Sequence, residues 1–172
     1  MASPNVQPST PTPTGVYHNL RRAILELVPA EAGLKPTPAA PHVWGVLTEM
    51  SYPKSVVTLV CLVDGTTSLY FSAGGGILGS GQHRSVAQAG ETLVETAERA
   101  LAALRPTSAC SLPAAGQVQF IVLTYEGKWI ASATEQELVN GHHRLSALFD
   151  GAQEVITQIR LLEIGDNSSN NN

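Results

Sequence analysis

The apolar positions change period several times along the chain, and each change marks an element. Val16, Tyr17, Leu20, Ile24, Leu27 and Val28 recur at helical spacing, while Arg21, Arg22 and Glu26 fall elsewhere. The spacing predicts a short amphipathic helix over 15–28, ended by Pro29, that docks either on the chain's own sheet or on a second subunit. "AEAGLKPTPAAP", 30–41, reads as a linker whose prolines exclude helix. Alternation follows. In "HVWGVLTEM", 42–50, Trp44, Val46, Thr48 and Met50 fall on one face, and Val43, Gly45, Leu47 and Glu49 on the other. "VVTLVCLV", 56–63, is apolar on both faces, as expected of a central strand covered on both sides. Asp64-Gly65 supplies a hairpin turn, and "SLYFS", 68–72, is the return arm.

The helical period returns over 84–104, where Val86, Ala89, Gly90, Leu93, Val94, Ala97, Ala100, Leu101 and Leu104 form one stripe before Pro106. Most of these residues are small, so the helix is expected to lie close against its sheet. Strands are predicted over 118–125 and 128–133, joined by Glu126-Gly127. Thr134 and Glu137 have the spacing of a capping box, Gly141 interrupts the helix it opens, and a regular stripe runs from Leu145 to Leu162. The expected order is α-β-β-β-α-β-β-α, an α+β fold with a five-stranded, mainly antiparallel sheet and flanking helices. Residues 1–14, rich in Pro, Ser and Thr, and the polar 165–172 are expected to be disordered tails around a single domain, 15–164.

The unit "VVTLVCLVDGTTSLYFSAGGG" followed by "SVAQAGETLVETAERALAAL" resembles the opening of roadblock domains. These have an apolar strand, a D-G turn, a second strand ending in small residues, and a long helix. The helix at 15–28 and a final helix at 141–163 agree with that pattern. The strand at 43–50 is extra, and two strands rather than three follow the central helix, so the wider profilin-like layout is the better match. The resemblance implies a dimerising scaffold or regulator with a partner such as a small GTPase, and it brings no catalytic residues.

Composition narrows this picture. Only 14% of the residues are charged against 43% hydrophobic, a balance that favours association through part of the surface. A net charge of −4 leaves no basic footprint for nucleic acid. Two cysteines, Cys61 and Cys110, make no disulfide framework. The N-terminal stretch lacks the pattern of a secretory leader, and no apolar run has the length of a membrane span. The expected compartment is therefore cytoplasmic.

The most chemical-looking stretch is "FSAGGGILGSGQH", 71–83, in which residues 74–79 satisfy G-x-G-x-x-G. The strand before it is a hairpin return, no acidic strand end follows the helix, and no lysine completes a phosphate loop, so a dinucleotide or nucleotide site is not expected. A narrower candidate is an anion site at the helix start, formed by Gly76, Gly79, Ser80, Gln82, His83 and Arg84. Adjacent His142 and His143 diverge on a helix and do not suggest a metal site. No nucleophile elbow or carboxylate pair marks an enzyme, and no cofactor is implied. Tyr17, Leu20 and Ile24 of the first helix, with Trp44 and Trp129 on strands expected to be outer, are candidate interface residues. The expected function is a non-enzymatic protein-interaction or regulatory domain acting as a homodimer. The alternative is a small-ligand or anion sensor with its site at 74–84.

Overall fold

In the computed structural model the described residues are 15–169. They form one antiparallel seven-stranded sheet with helices on both faces. The chain begins with α1 (Gly15–Leu25) and then makes a meander of β1 (Val43–Tyr52), β2 (Ser55–Leu62), β3 (Thr67–Phe71) and the two-residue β4 (Gly76–Ile77). Helix α2 (Arg84–Ala100) crosses back over the sheet. It is followed by β5 (Arg105–Thr107), β6 (Gln117–Thr124), β7 (Gly127–Thr134), α3 (Glu135–Val139) and α4 (Ser146–Ser169). The strand order is β4-β3-β2-β1-β6-β7-β5, so β1 lies at the centre.

Seven strands replace the five expected. The two additional ones, β4 and β5, are two and three residues long, too short to show a period of two. Each pairs at an outer edge, β4 with β3 and β5 with β7. Pro106, read from sequence as a helix stop, lies inside β5, where an edge strand tolerates its missing N–H. Helix α2 already ends at Ala100 and tightens into a 3₁₀ turn over Leu101–Ala103. At the other end of the chain, α4 continues through Ser169, so residues 165–169 of the expected tail are helical. The tail assigned to 1–14 and residues 170–172 lie outside the described residues.

Each face of the sheet carries its own core. On one face Val46 and Met50 of β1, Leu59 and Cys61 of β2, and Phe120 and Val122 of β6 meet Leu93 and Ala97 of α2 and Leu148, Ala152 and Ile156 of α4. The expected close packing of α2 has a specific cause: a Cβ at Gly90 would stand 2.8 Å from Thr67 Oγ1. On the other face Leu47, Val60, Leu62, Ile121 and Leu123 are covered by Tyr17, Leu20 and Ile24 of α1 and by Leu34 of the linker. Helix α1 therefore docks on its own sheet.

Alternation along β1 fails at one point. The register against β6 shifts between Val43 and Gly45, a bulge that adds one residue to β1. Trp44 is thereby grouped with Leu47, and Val43 with Val46, the reverse of strict alternation. The capping box is formed: Thr134 Oγ1 accepts from the Glu137 amide, and the Glu137 carboxylate accepts from the Thr134 amide. Gly141, with φ +75°, follows the end of α3.

Candidate functional site

The glycine stretch is a folded turn and crossing. Phe71 N donates to Gly75 O and Gly74 N to Phe71 O, which turns the chain back so that β4 pairs with β3. The chain then runs tightly along the β2–β3 turn. A Cβ on Gly81 would lie 2.1 Å from Gly65 O, so only glycine allows this approach.

The six residues singled out for anion binding do not converge. Ser80 is buried, its hydroxyl donating to Thr67 O at 3.1 Å. The amides of Gln82 and His83 donate to Gly79 O and Ser80 O within the 3₁₀ turn. The amide of Gly79 reaches Ser68 Oγ at 3.4 Å. The amides of Gly79, Gln82 and His83 are thus engaged, and the side chains of Gln82, His83 and Arg84 are exposed. Gly76 alone of the six borders the largest groove described below.

The interface candidates also part company. Tyr17 is buried and its hydroxyl is 2.6 Å from Thr58 Oγ1. Burial, the leading cause, pushes that hydroxyl up to about 12. Trp44 is on the central strand rather than an outer one, is 4% exposed, and donates from its indole N–H to Thr124 O at 3.0 Å. Both belong to the interior, as do the partly buried Leu20 and Ile24 packed beside them. Trp129, on β7, which β5 covers at the sheet edge, is partly buried on the face covered by α2 and α4.

The interior holds a polar cluster that the sequence pattern did not single out. Arg21 was expected off the α1 stripe but lies within it, only 8% exposed. Its Nε donates to Glu49 Oε1 at 2.5 Å, and its Nη2 to Glu49 Oε2 at 3.0 Å and Cys110 O at 2.8 Å. Glu49 is fully buried and also accepts from Thr58 Oγ1 at 3.3 Å and Gln119 Nε2 at 3.1 Å. Burial by itself lowers the Arg21 pKa, but the Glu49 carboxylate holds it above the ordinary value. The available signals were an arginine spaced i, i+4 after Tyr17 and a glutamate in a strand otherwise free of charge. The cluster ties α1 to β1, β2 and β6, and Arg21 also borders a recess beside α1.

Two of the concave surfaces bear on function. The first, a groove of about 480 Å³, lies between α4 and the edge of the sheet. Its floor is Met50, Val57, Leu69, Phe71 and Ile77 from the strands with Ile156 and Ile159 from α4. At its rim are Tyr52, Gln153, Arg160 and Glu163. Beyond it α4 runs past its last well-buried residue, Ile159, and carries Leu161, 55% exposed, and Ile164, 64% exposed. The second, a recess of about 450 Å³, lies between α1 and the start of β7, where His18, Arg22, Leu25 and Glu26 face Ser108, Cys110 and Lys128.

The histidine pair at 142–143 has a structural use: His143 Nδ1 accepts from the Leu145 amide at 3.1 Å just before α4. Among the described residues, no group of three or more His, Cys, Asp or Glu is placed to hold a metal ion. No helix there is long and apolar enough to cross a membrane. Cys61 and Cys110 are free thiols, and burial pushes Cys61 up to about 12, where it is an unreactive core residue. Compared with protein-family models, curated proteins and solved structures, the chain matches none of them.

Proposed function

We propose that this chain is a protein-interaction or regulatory domain that acts as a homodimer. The observation that carries this is the free end of α4, where Leu161 and Ile164 stand exposed beside an apolar groove. The sheet itself offers little further adhesive surface. Both sheet faces carry helices, and the two edge strands are very short, one of them interrupted by Pro106. An exposed apolar surface rimmed by polar groups is characteristic of an interaction site. A central sheet with helices on both faces is also in keeping with the profilin-like or roadblock-like layout, and with it a regulatory partner such as a small GTPase. Sedimentation velocity at micromolar concentration tests the proposal: a dimer is expected, and a clean monomer counts against it.

A second reading, an anion-binding sensor, is favoured by the recess between α1 and β7 rather than by loop 74–84. Arg22 and Lys128 line it from opposite sides, and neither is within ion-pair distance of an acidic group among the described residues. A thermal-shift panel of phosphate, citrate and nucleotides tests it. Stabilisation abolished by Arg22→Ala supports a sensor, and a flat panel removes it.

A further inference from the structure

We propose that the contact between copies is a two-fold packing of α4 against its counterpart, in which Arg160 of each copy pairs with the partner's Glu163. This rests on the reading that the chain associates with itself and names the surface through which it does so.

The helix geometry places the required groups together. At about 100° per residue, Glu163, Arg160, Ile164 and Leu161 follow one another around a single side of α4. Arg160 and Glu163 stand at the groove rim, and both are exposed. They are three residues apart, a spacing at which helical side chains readily meet. Yet neither lies within ion-pair distance of an opposite charge among the described residues. One surface thus offers a cation, an anion, two apolar side chains and an apolar groove.

Such a surface is self-complementary. A two-fold axis uses the same patch on both subunits, so any contact from residue i to residue j is made twice. When two copies of α4 run antiparallel about an axis level with Leu161 and Leu162, residue 160 of each stands opposite residue 163 of the other. Both charges are then matched without help from the rest of the surface. In the same register Ile164 is level with the partner's Ile159, which floors the groove. The exposed apolar side chains of one copy therefore cover the groove of the other, and the ion pairs close its rim.

Charge reversal provides the test, read by sedimentation equilibrium with far-UV circular dichroism as a check on folding. Arg160→Glu sets two carboxylates against each other twice, and Glu163→Arg does the same with two cations. Each variant alone is expected to weaken self-association by roughly tenfold or more. An equimolar mixture of the two is expected to recover it as a heterodimer, because each reversed charge then meets its opposite. Recovery in the mixture requires pairing between copies, and a merely structural role for either side chain does not produce it. If both single variants dimerise like the parent, or if the mixture stays weak, this contact is wrong while the dimer stands. A parent chain that remains monomeric in the same experiment overturns the contact and the dimer together.

Discussion

At the residue scale the Arg21–Glu49 pair carries the largest consequence for stability. A charge buried without its partner is far more costly than the intact pair, typically by about 3–5 kcal/mol. Glu49→Ala leaves Arg21 with only the Cys110 carbonyl, so urea unfolding is expected to show a loss of about that size. Replacing both residues together, Arg21→Met with Glu49→Met, is expected to restore most of it, since no uncompensated charge remains. A double variant no more stable than Glu49→Ala shows that the surrounding hydrogen bonds, rather than the charge balance, dominate. Glu98 acts on a smaller scale and depends on pH. Its carboxylate accepts from the amides of His42 and Val43 and lies 2.6 Å from His42 Nδ1, tying the entry of β1 to α2. Burial alone raises its pKa, but these hydrogen bonds, led by the His42 side chain, hold it below the ordinary 4.5. A depressed carboxylate stabilises fully above its unfolded value, and that contribution fades as pH falls below about 4.5 toward the lower folded value. Thermal melts across pH 3–7 should therefore be less steep on the acid side for Glu98→Gln than for the parent, and parallel curves would remove the linkage.

The elements show which parts of a pattern survive packing. Four of the strands, β1, β2, β6 and β7, are eight to ten residues long, and together with α2 and α4 they follow periods legible in the sequence. The strands that escaped notice are those with too few residues to have a period. The bulge in β1 also escaped, because one extra residue leaves composition unchanged while exchanging the faces of Val43 and Trp44. The glycine stretch separates two different uses of the same residue. Gly74 has φ +118° with open space around its Cβ position, whereas a Cβ on Gly81 would run into the Gly65 carbonyl. Gly74→Ala is accordingly expected to cost about 1 kcal/mol of backbone strain. Gly81→Ala is expected to cost more, about 1–3 kcal/mol, because backbone must move. Chemical denaturation of the two variants compares them directly, and equal losses would contradict the close-approach argument.

For the whole molecule, α1 and the free end of α4 have opposite meanings. Helix α1 was open to docking on the sheet or on another subunit, and its burial against Leu47, Val60 and Leu123 makes it part of the core. A chain beginning at residue 30 would expose that face, so its expected behaviour is loss of a cooperative thermal transition, not dissociation into folded monomers. Leu161 and Ile164 are different, since they touch little within the chain. Leu161→Glu with Ile164→Glu should leave the melting curve of the monomer intact while abolishing the dimer. Persistence of the dimer in that variant would move the interface elsewhere.

The sequence by itself determined the local choices: where helices and long strands form, the Asp64-Gly65 turn, the Thr134–Glu137 cap and the close approach of a small-residue α2. These depend on neighbours within one or two turns or on alternation, and are written in consecutive residues. Only the tertiary structure decided what non-neighbours do. It brought Arg21 to Glu49 across 28 positions and placed Trp44 on the central strand. It turned Ser80 inward and engaged the amides of Gln82 and His83 within the crossing that follows the glycine stretch. Burial and pairing depend on what the rest of the chain brings alongside, and no single stretch of sequence contains that information.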